Sequence, residues 1–241
     1  AVGGEATMIR QAENLREEKS HSVSLSADMY RRFGAFQCNL LLEGFYTRLN
    51  HVFVLEEIGK DEEHNAVIKE RRNGQGAEVA GVTVEGKVAY LSLVQLQAGV
   101  TWQKSHYTRP EKWSKDSSVP AEKRIFRTPD WYGYFTATYS PVKPLNIALS
   151  GTYTGSMIVQ HMKGYIPKDI AVTTPDFFDM NLKISYDFSL YKFITLQLNA
   201  GIQNIFNAYQ RDFDQGKERD SGYIYGPSMP RSYFAGAKLM F

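Results

Sequence analysis

The chain has 241 residues, 43% of them hydrophobic, and its formal net charge at pH 7 is only +2. This small net charge gives no electrostatic reason to expect a nucleic-acid or anionic-membrane partner. No segment approaches the roughly 18 uninterrupted apolar residues of a membrane helix. Helical membrane proteins are therefore excluded, whereas membrane barrels are not, because their strands carry a much weaker signal.

Apolar and polar residues alternate with a period of two along most of the chain, which predicts β-strands. The first clear case is HSVSLSADMY, where Val23, Leu25 and Ala27 alternate with polar residues. The pattern recurs, in chain order, in FQCNLLLEGFY, GVTVEGKVAY, VQLQAGVTWQ, DWYGYFTATY, PLNIALSGTYT, FFDMNLKISYDF, YKFITLQLNAGIQNIF and SYFAGAKLMF. We predict an all-β, antiparallel chain of about nine strands, centred near residues 26, 45, 82, 98, 135, 150, 182, 198 and 236.

The connections between these strands are alternately short and long. Short links are predicted at residues 33–34, 91–92, 140–144 and 189–190. Long polar stretches are predicted at residues 59–65, 106–128, 160–174 and 207–227. Strict alternation is the layout of an outer-membrane barrel, with short periplasmic turns and long extracellular loops. A soluble sandwich with Greek-key crossings has no reason to show it.

Aromatic residues and charges support the same interpretation. Tyr139, Tyr186, Phe188, Tyr191 and Phe193 cluster by the short turns, and Trp102, Trp131 and Tyr153 lie by the long loops. Two aromatic girdles are typical of the two membrane interfaces. The charged residues of the other parity are then expected to line a wet interior: Glu43, Glu85, Lys87, Asp179, Lys183, Asp187 and Lys238.

No catalytic motif is present in the sequence. Cys38 is the single cysteine, so no internal disulfide or multi-thiolate metal site can form, and its lipid-facing parity predicts an inert apolar role. The five histidines show no ligand spacing, and there is no phosphate-binding glycine loop or nucleophile elbow. We predict no catalytic, cofactor-binding or metal-binding residues, and the substrate-binding residues stay unassigned.

Three loop segments offer a functional and a structural interpretation. In RDFDQGKERD, Asp212 and Asp214 begin like an EF-hand loop, but Tyr223 stands where the bidentate Glu is needed, which favours a solvated charged loop. Tyr223 and Tyr225 could contact a ligand or anchor the membrane interface. His161 and Met162 suit soft metals or haem iron chemically, but they lack partners in the sequence. The third segment, residues 108–127, could attract an anionic ferric chelate, contact lipopolysaccharide or serve solubility, through Arg109, Lys112, Lys115, Lys123, Arg124 and Arg127.

Four segments, in order, resemble the C-terminal barrel of TonB-dependent outer-membrane receptors. They are AENLREEKSHSVSLSADMY, LLLEGFYTRLNHVF, AGIQNIFNAYQRD and GYIYGPSMPRSYFAGAKLMF. The third contains an Asn-Ile-Phe-Asn box at Asn204 to Asn207, whereas in the first Arg16 stands where the family usually has Pro. Phe241 resembles the terminal signal read by the barrel-assembly machinery, and the last loop resembles those of Bacteroidetes receptors.

The resemblance implies a 22-stranded barrel occluded by an N-terminal plug. This chain would supply the last nine strands: residues 1–19 as an extracellular-loop remnant and residues 20–241 as barrel strands with their loops and turns, with the plug domain absent from the sequence. The implied location is the bacterial outer membrane, and the implied function is active import of a scarce bulky nutrient, either a ferric siderophore, haem or a cobalamin. The implied partners are outer-membrane lipid, the small-molecule or metal-chelate ligand, and the TonB complex through an N-terminal part outside this sequence.

Two other classes of function share the same strand physics. A passive outer-membrane porin would need a constriction loop and no energy source. A barrel enzyme would need a nucleophile and a base within hydrogen-bond reach, and His21 and His106 fall on the lipid-facing parity. We therefore expect a protein that is not an enzyme and that uses no cofactor.

Overall fold

The computed structural model describes residues 6–61, 63, 64, 66–227 and 229–241. Nine strands form the main sheet: β2 (Lys19–Phe33), β3 (Phe36–Asn50), β6 (Ala77–Tyr90), β7 (Val94–Glu111), β9 (Trp131–Val142), β10 (Leu145–Thr154), β13 (Phe177–Tyr191), β14 (Ile194–Gln203) and β15 (Ser232–Met240). Six further strands lie before β2 or in the connections: β1 (Ala6–Gln11), β4 (Phe53–Asp61), β5 (Ala66–Asn73), β8 (Glu122–Arg124), β11 (Ile158–His161) and β12 (Ile170–Thr173). Within the described residues, no helix is long and apolar enough to span a membrane.

The main sheet is a meander in which each strand pairs antiparallel with the next one along the chain. Its order from one edge to the other is β2, β3, β6, β7, β9, β10, β13, β14, β15, with β8 attached to β7. All nine predicted strands are present, so the all-β antiparallel prediction is confirmed. The sheet is open within the described residues, since β2 pairs only with β3 and β15 only with β14.

The short turns lie at one end of this sheet, at residues 34–35, 91–93, 143–144 and 192–193. The prediction of a turn at residues 189–190 is wrong, because β13 continues to Tyr191. The physical reason is a register shift between Ser189 and Tyr191, which inserts an extra residue before the chain reverses. In the first turn Gly34 has φ of +59°, a left-handed conformation that favours glycine.

One face of the main sheet is apolar across all nine strands. Residues paired directly across neighbouring strands point to the same side of a sheet, and Ala27 pairs with Leu42, which pairs with Val84, which pairs with Val100. The predicted parity is therefore confirmed. These side chains are exposed in the isolated chain, and Leu25 retains 81% of its accessible surface. Cys38 lies on this face, opposite Val88.

The other face is polar, and the register places on it all seven charged residues that were predicted to share the interior parity. Glu43 pairs with Thr83, and Asp187 pairs with Gln197, which pairs in turn with Lys238. The two faces are therefore continuous surfaces of opposite character. We call them the apolar face and the polar face.

Four long connections lie at the end of the sheet opposite the short turns. We name them loop A (residues 51–76), loop B (112–130), loop C (155–176) and loop D (204–231). The long connection predicted at residues 106–128 begins too early, because β7 extends to Glu111. Of the stretch predicted at 59–65, residues 62 and 65 lie outside the described residues.

Loops A, B and C contain secondary structure of their own. In loop B this is β8, which pairs with β7. In loop A, β4 pairs antiparallel with β5, and β5 pairs in parallel with β1, which lies within the predicted loop remnant at residues 1–19. Residues 1–5 of that remnant lie outside the described residues. In loop C, β11 and β12 form a two-stranded ribbon. None of these strands was predicted, because each lies in a stretch without sustained alternation.

Candidate functional site

The aromatic residues of the apolar face form two bands at the expected ends of the sheet. At the loop end, the rings of Trp102 and Trp131 lie 6.3 Å apart. At the turn end, the rings of Tyr186 and Phe188 lie 4.6 Å apart. Bands of amphipathic and aromatic rings at two heights match the two interfaces of a bilayer.

The polar face carries hydrogen bonds between side chains of neighbouring strands. The ring of Tyr134 lies over Gly99, where an added Cβ would be only 2.8 Å from Tyr134 Cε1. From there the Tyr134 hydroxyl donates to Glu85. Gln97 Nε2 donates to Tyr134 Oη at 2.8 Å and to Glu85 Oε1 at 3.1 Å, and Lys87 Nζ lies 3.2 Å from Glu85 Oε1. The carboxylate of Glu85 is thus neutralised and held on the face that polar side chains cover.

Loops C and D share a buried apolar cluster at the top of the sheet. We call it the loop core: Val159, Phe177, Tyr223 and Tyr225. Phe177 can pack there because Gly226 has no side chain, and an added Cβ at that glycine would lie 2.6 Å from Phe177 Cζ. Gly226 also has φ of +76°, which a residue with a Cβ rarely adopts. The loop core therefore depends on glycine at this position.

Both loop-core tyrosines are held by one carboxylate. Tyr223 Oη donates to Asp212 Oδ2 at 2.8 Å, and Tyr225 Oη donates to Asp212 Oδ1 at 2.7 Å. Burial and the hydrogen bond to Asp212 raise the pKa of Tyr225 to about 12 and raise the pKa of Tyr223 still further. For Asp212 itself, burial opposes ionisation, but the bonds from Tyr225 and Tyr223 prevail and lower its pKa. Asp212 is therefore ionised, and both phenols are protonated, at neutral pH.

A second buried polar contact, formed by His161 and Asp214, joins loop C to loop D. His161 Nε2 lies 2.9 Å from both carboxylate oxygens of Asp214, and the two residues are 6% and 8% exposed. The imidazole also stacks on Tyr223, with ring centres 3.7 Å apart and planes 6° apart. Asp220 extends the contact, because its backbone N–H donates to Asp214 and its carboxylate accepts from the backbone N–H of Met162.

Gln210 and Arg127 complete the connections of loop D. Gln210, only 2% exposed, donates from Nε2 to the Tyr223 carbonyl at 3.1 Å and accepts from the Tyr225 N–H at 2.8 Å. Arg127 of loop B donates from its guanidinium to the carbonyls of Gly222 and Ile224, and its own N–H donates to the Ile158 carbonyl at 2.8 Å. Loops B, C and D are thus joined into one hydrogen-bonded unit, which we call the loop unit.

The Asn-Ile-Phe-Asn box is the hinge from which loop D leaves the sheet. Asn204 is buried, with φ of +49°, and its amide donates to the carbonyls of Ala208 and Met229 at 2.9 Å each. Its side-chain oxygen accepts from the Ala208 N–H, and Asn207 accepts from the Arg231 N–H. Asparagine suits both positions because it tolerates the left-handed conformation and supplies a donor and an acceptor.

The structure shows where the loop residues singled out in the sequence lie. The interpretation of residues 211–220 as solvated is wrong for Asp214, because its carboxylate is buried against His161. Interface anchoring is wrong for Tyr223 and Tyr225, which lie in the loop core rather than on the apolar face. His161 has a partner after all, and its ring is enclosed. Among the described residues, no group of three or more His, Cys, Asp or Glu side chains is arranged to hold a metal ion.

The basic segment is divided between structural and exposed residues. Arg124 pairs with Glu122 at 3.4 Å, and Arg127 is engaged by loop D. The side chains of Arg109, Lys112 and Lys123 are exposed. The role of Gln210 could not be predicted from the sequence, because an isolated glutamine in a polar loop carries no periodic or spacing signal.

The chain forms a nine-stranded meander with an apolar face, a hydrogen-bonded polar face, two aromatic bands and folded loops at one end. Together these features define the wall of an outer-membrane β-barrel. Comparison with known protein families supports this assignment of the fold. The family described as "TonB dependent receptor-like, beta-barrel" matches residues 2–205, and the chain belongs to that family. It is accordingly a protein of the bacterial outer membrane. No curated protein sequence matches the chain.

Several solved structures with the same fold are siderophore receptors. The chain superposes on the ferripyoverdine receptor of Pseudomonas aeruginosa with a TM-score of 0.62 and 14% identity, covering 94% of this chain and 27% of that one. For a mutant of the ferric enterobactin receptor PfeA from Pseudomonas aeruginosa, in complex with enterobactin, the TM-score is 0.60 and identity 16%, covering 96% and 32%. For the ferric-catecholate import receptor Fiu from E. coli K12 the values are 0.59 and 17%, covering 95% and 28%.

These likenesses establish the fold, and the chain spans a third or less of each of those receptors. The resemblance of loop D to Bacteroidetes receptors stays a prediction.

Proposed function

We propose that the chain forms nine strands of the wall of a 22-stranded, plugged barrel that actively imports a ferric siderophore, with energy supplied through TonB. The plug and the segment that contacts TonB would lie outside this sequence. The proposal rests on the family and on one structural observation. That observation is the polar face, which carries charged side chains, and on which Glu85 lies beside Lys87 and accepts hydrogen bonds from Gln97 and Tyr134.

Such a face suits an interior that is wet and in contact with a plug. A charge directed at lipid near the bilayer midplane costs about 2–4 kcal/mol for Arg or Lys, whereas a charge directed at a polar lumen does not. Lys87, Lys183 and Lys238 all lie on the polar face. The apolar face carries the lipid contact, so the two faces divide the partners between them.

The exposed cations of the loops suit an anionic metal chelate, and the likeness to siderophore receptors favours a ferric siderophore among the nutrients considered. Arg109, Lys112 and Lys123 are exposed in or beside loop B, and clustered cations raise the local concentration of an anionic ligand and its association rate. The three solved structures compared above are named for ferric siderophore ligands. Haem and cobalamin become alternatives that the experiment below separates.

The test is uptake by the complete receptor in an iron-starved bacterium that lacks its own siderophore receptors. We expect saturable accumulation of iron from a ferric siderophore that is abolished by deletion of TonB and by a protonophore. Uptake that persists without TonB, together with solute flux through the receptor in liposomes, would instead identify a passive porin. Uptake confined to haem or cobalamin would retain active import and refute the siderophore.

A further inference from the structure

The charged side chains at the turn end of the apolar face are all positive. Arg31 lies on this face, where it pairs with Cys38. Lys143 lies in the turn between β9 and β10, and Lys192 lies in the turn between β13 and β14. All three side chains are exposed, and in the part of the chain that the structure describes no carboxylate forms an ion pair with them. We call these three residues the cationic rim.

Acidic side chains are absent from the sequence around the rim. Residues 29–42, 86–110, 131–168 and 188–211, which contain the four short turns, include no Asp or Glu. Asp28 is the acidic residue nearest to Arg31 along the chain, and Asp187 is the nearest to Lys192. Both have the parity of the polar face. The positive charges of the rim are therefore not neutralised by side chains of the apolar face.

The cations of the same face at the loop end are paired with carboxylates. Arg48 lies directly opposite Glu78, with Nη1 3.7 Å from Oε1. The ammonium group of Lys104 contacts the carboxylate of Asp130. Although the net charge of the chain is only +2, an excess of positive charge is thus concentrated at the turn end of the apolar face.

Exposed aromatic rings adjoin the rim. Phe33 lies two residues after Arg31, and Tyr191 and Phe193 flank Lys192. These three rings retain 63%, 70% and 80% of their accessible surface. Aromatic rings favour the boundary between the hydrocarbon and the headgroups of a bilayer. Lys and Arg extend their apolar stems along such a surface and place the charge among the headgroups. The rim therefore lies at the level of the lipid headgroups.

We propose that the cationic rim binds anionic phospholipids of the periplasmic leaflet, with their phosphodiester groups at Arg31, Lys143 and Lys192 and their acyl chains on the apolar face. The short turns of outer-membrane barrels face the periplasm. Cations beside a membrane surface attract its anionic lipids. The inference rests on the membrane location of the chain and is independent of the nutrient that the receptor imports.

Arg31 is the member of the rim best suited to a phosphate group. Its Nη1 donates to the Tyr30 carbonyl at 3.0 Å, which holds the guanidinium beside the strand. Among the described residues, its other N–H groups have no partner. A guanidinium offers donors in a planar fork that matches the oxygens of a phosphate. Arg31 can therefore bind a headgroup without giving up a contact within the protein.

The test uses the complete receptor in detergent with equal amounts of phosphatidylglycerol and phosphatidylcholine that carry identical acyl chains. Native mass spectrometry counts the lipids of each kind that stay bound. The rim variant combines Arg31→Gln, Lys143→Gln and Lys192→Gln, all at exposed positions. Heat-modifiable gel mobility establishes that the variant is folded before its lipids are counted.

The matched control combines Arg211→Gln, Lys168→Gln and Lys217→Gln, which remove the same charge from exposed positions in loops C and D. One cation beside an anionic membrane surface favours binding about fivefold. We therefore expect the wild type and the control to retain phosphatidylglycerol over phosphatidylcholine by about fivefold or more. The rim variant should retain the two lipids equally.

Three results would overturn the lipid surface. They are a wild type without preference for phosphatidylglycerol, an equal preference in the rim variant and the control, and loss of bound phosphatidylglycerol when excess inorganic phosphate is added. The last result would show that the rim binds free anions rather than lipid. Nutrient uptake is measured separately, so the proposed import function would stand in each case.

Discussion

Gln210 offers a direct test of whether loops B, C and D form one unit. Its side chain is almost fully enclosed and is the bridge between the carbonyl of Tyr223 and the N–H of Tyr225. Gln210→Ala removes both hydrogen bonds and adds none. Because the neighbouring backbone groups are buried with the loop core, water cannot replace the lost amide without opening the loop.

The expected loss follows from the two backbone groups that the substitution leaves unpaired. Each buried donor or acceptor without a partner costs about 1–3 kcal/mol, so together they should destabilise loop D by roughly 2–4 kcal/mol, allowing for partial relaxation. Since 1.4 kcal/mol is about a factor of ten in an equilibrium constant, the open population of loop D should rise roughly 30- to 700-fold. Apart from the loop end of β13, where Phe177 packs in the loop core, the strands of the main sheet should keep their stability, because both hydrogen bonds of the Gln210 side chain are made within loop D.

Native-state hydrogen exchange of the complete receptor in detergent measures this opening segment by segment. We expect faster exchange at residues 158–161 and 223–225 and unchanged exchange in β14 and in the part of β13 away from the loop core. Gln215→Ala is the matched control, since Gln215 lies exposed in the same loop. Equal exchange in the two variants would refute the loop unit. Acceleration of 223–225 without 158–161 would show that loops C and D open independently.

Two further predictions concern alkaline pH and the polar face. Burial and its bond to Asp212 raise the pKa of Tyr225 from 10 to about 12. The contribution of Tyr225 to the stability of the loop unit should therefore be complete below pH 10 and lost as the pH rises through 12. Phenolate absorbance and proteolysis of loop D should report that transition together, and ionisation without cleavage would contradict the prediction. Gly99→Ala should displace the Tyr134 ring and lower the stability of the folded barrel by about 1–3 kcal/mol, measured by its heat-modifiable gel mobility. Gly86→Ala is the control, since a Cβ there meets nothing within 4 Å, and equal effects would refute the close packing at Gly99.

The main sheet could be predicted from the sequence because its physics is periodic. Each strand separates an apolar environment from a polar one, so its side chains must alternate, and Val23, Leu25 and Ala27 report that division without knowledge of any partner. The direction of each face could not be read from alternation alone. It followed from the positions of the aromatic residues and from the order of short and long connections.

The loop unit could not be predicted, for the complementary reason. Its contacts join residues far apart in sequence, such as His161 with Asp214 and Arg127 with Gly222. None of these pairs has a characteristic spacing, and each residue is ordinary in its own loop. The sequence did single out His161, Asp212, Asp214, Tyr223 and Tyr225, but only as separate candidates. Their common role appears when three loops meet above one end of the sheet.

The positions of the buried apolar residues explain why the loops need a core of their own. The sheet is one layer thick, with lipid or lumen on either side, so it offers the loops no hydrophobic core on which to fold. The buried apolar residues Val159, Phe177, Tyr223 and Tyr225 accordingly lie in the loops and at the loop end of β13 rather than in the centre of the sheet. Loops that carry their own core are ordered before a ligand arrives, so binding need not order them.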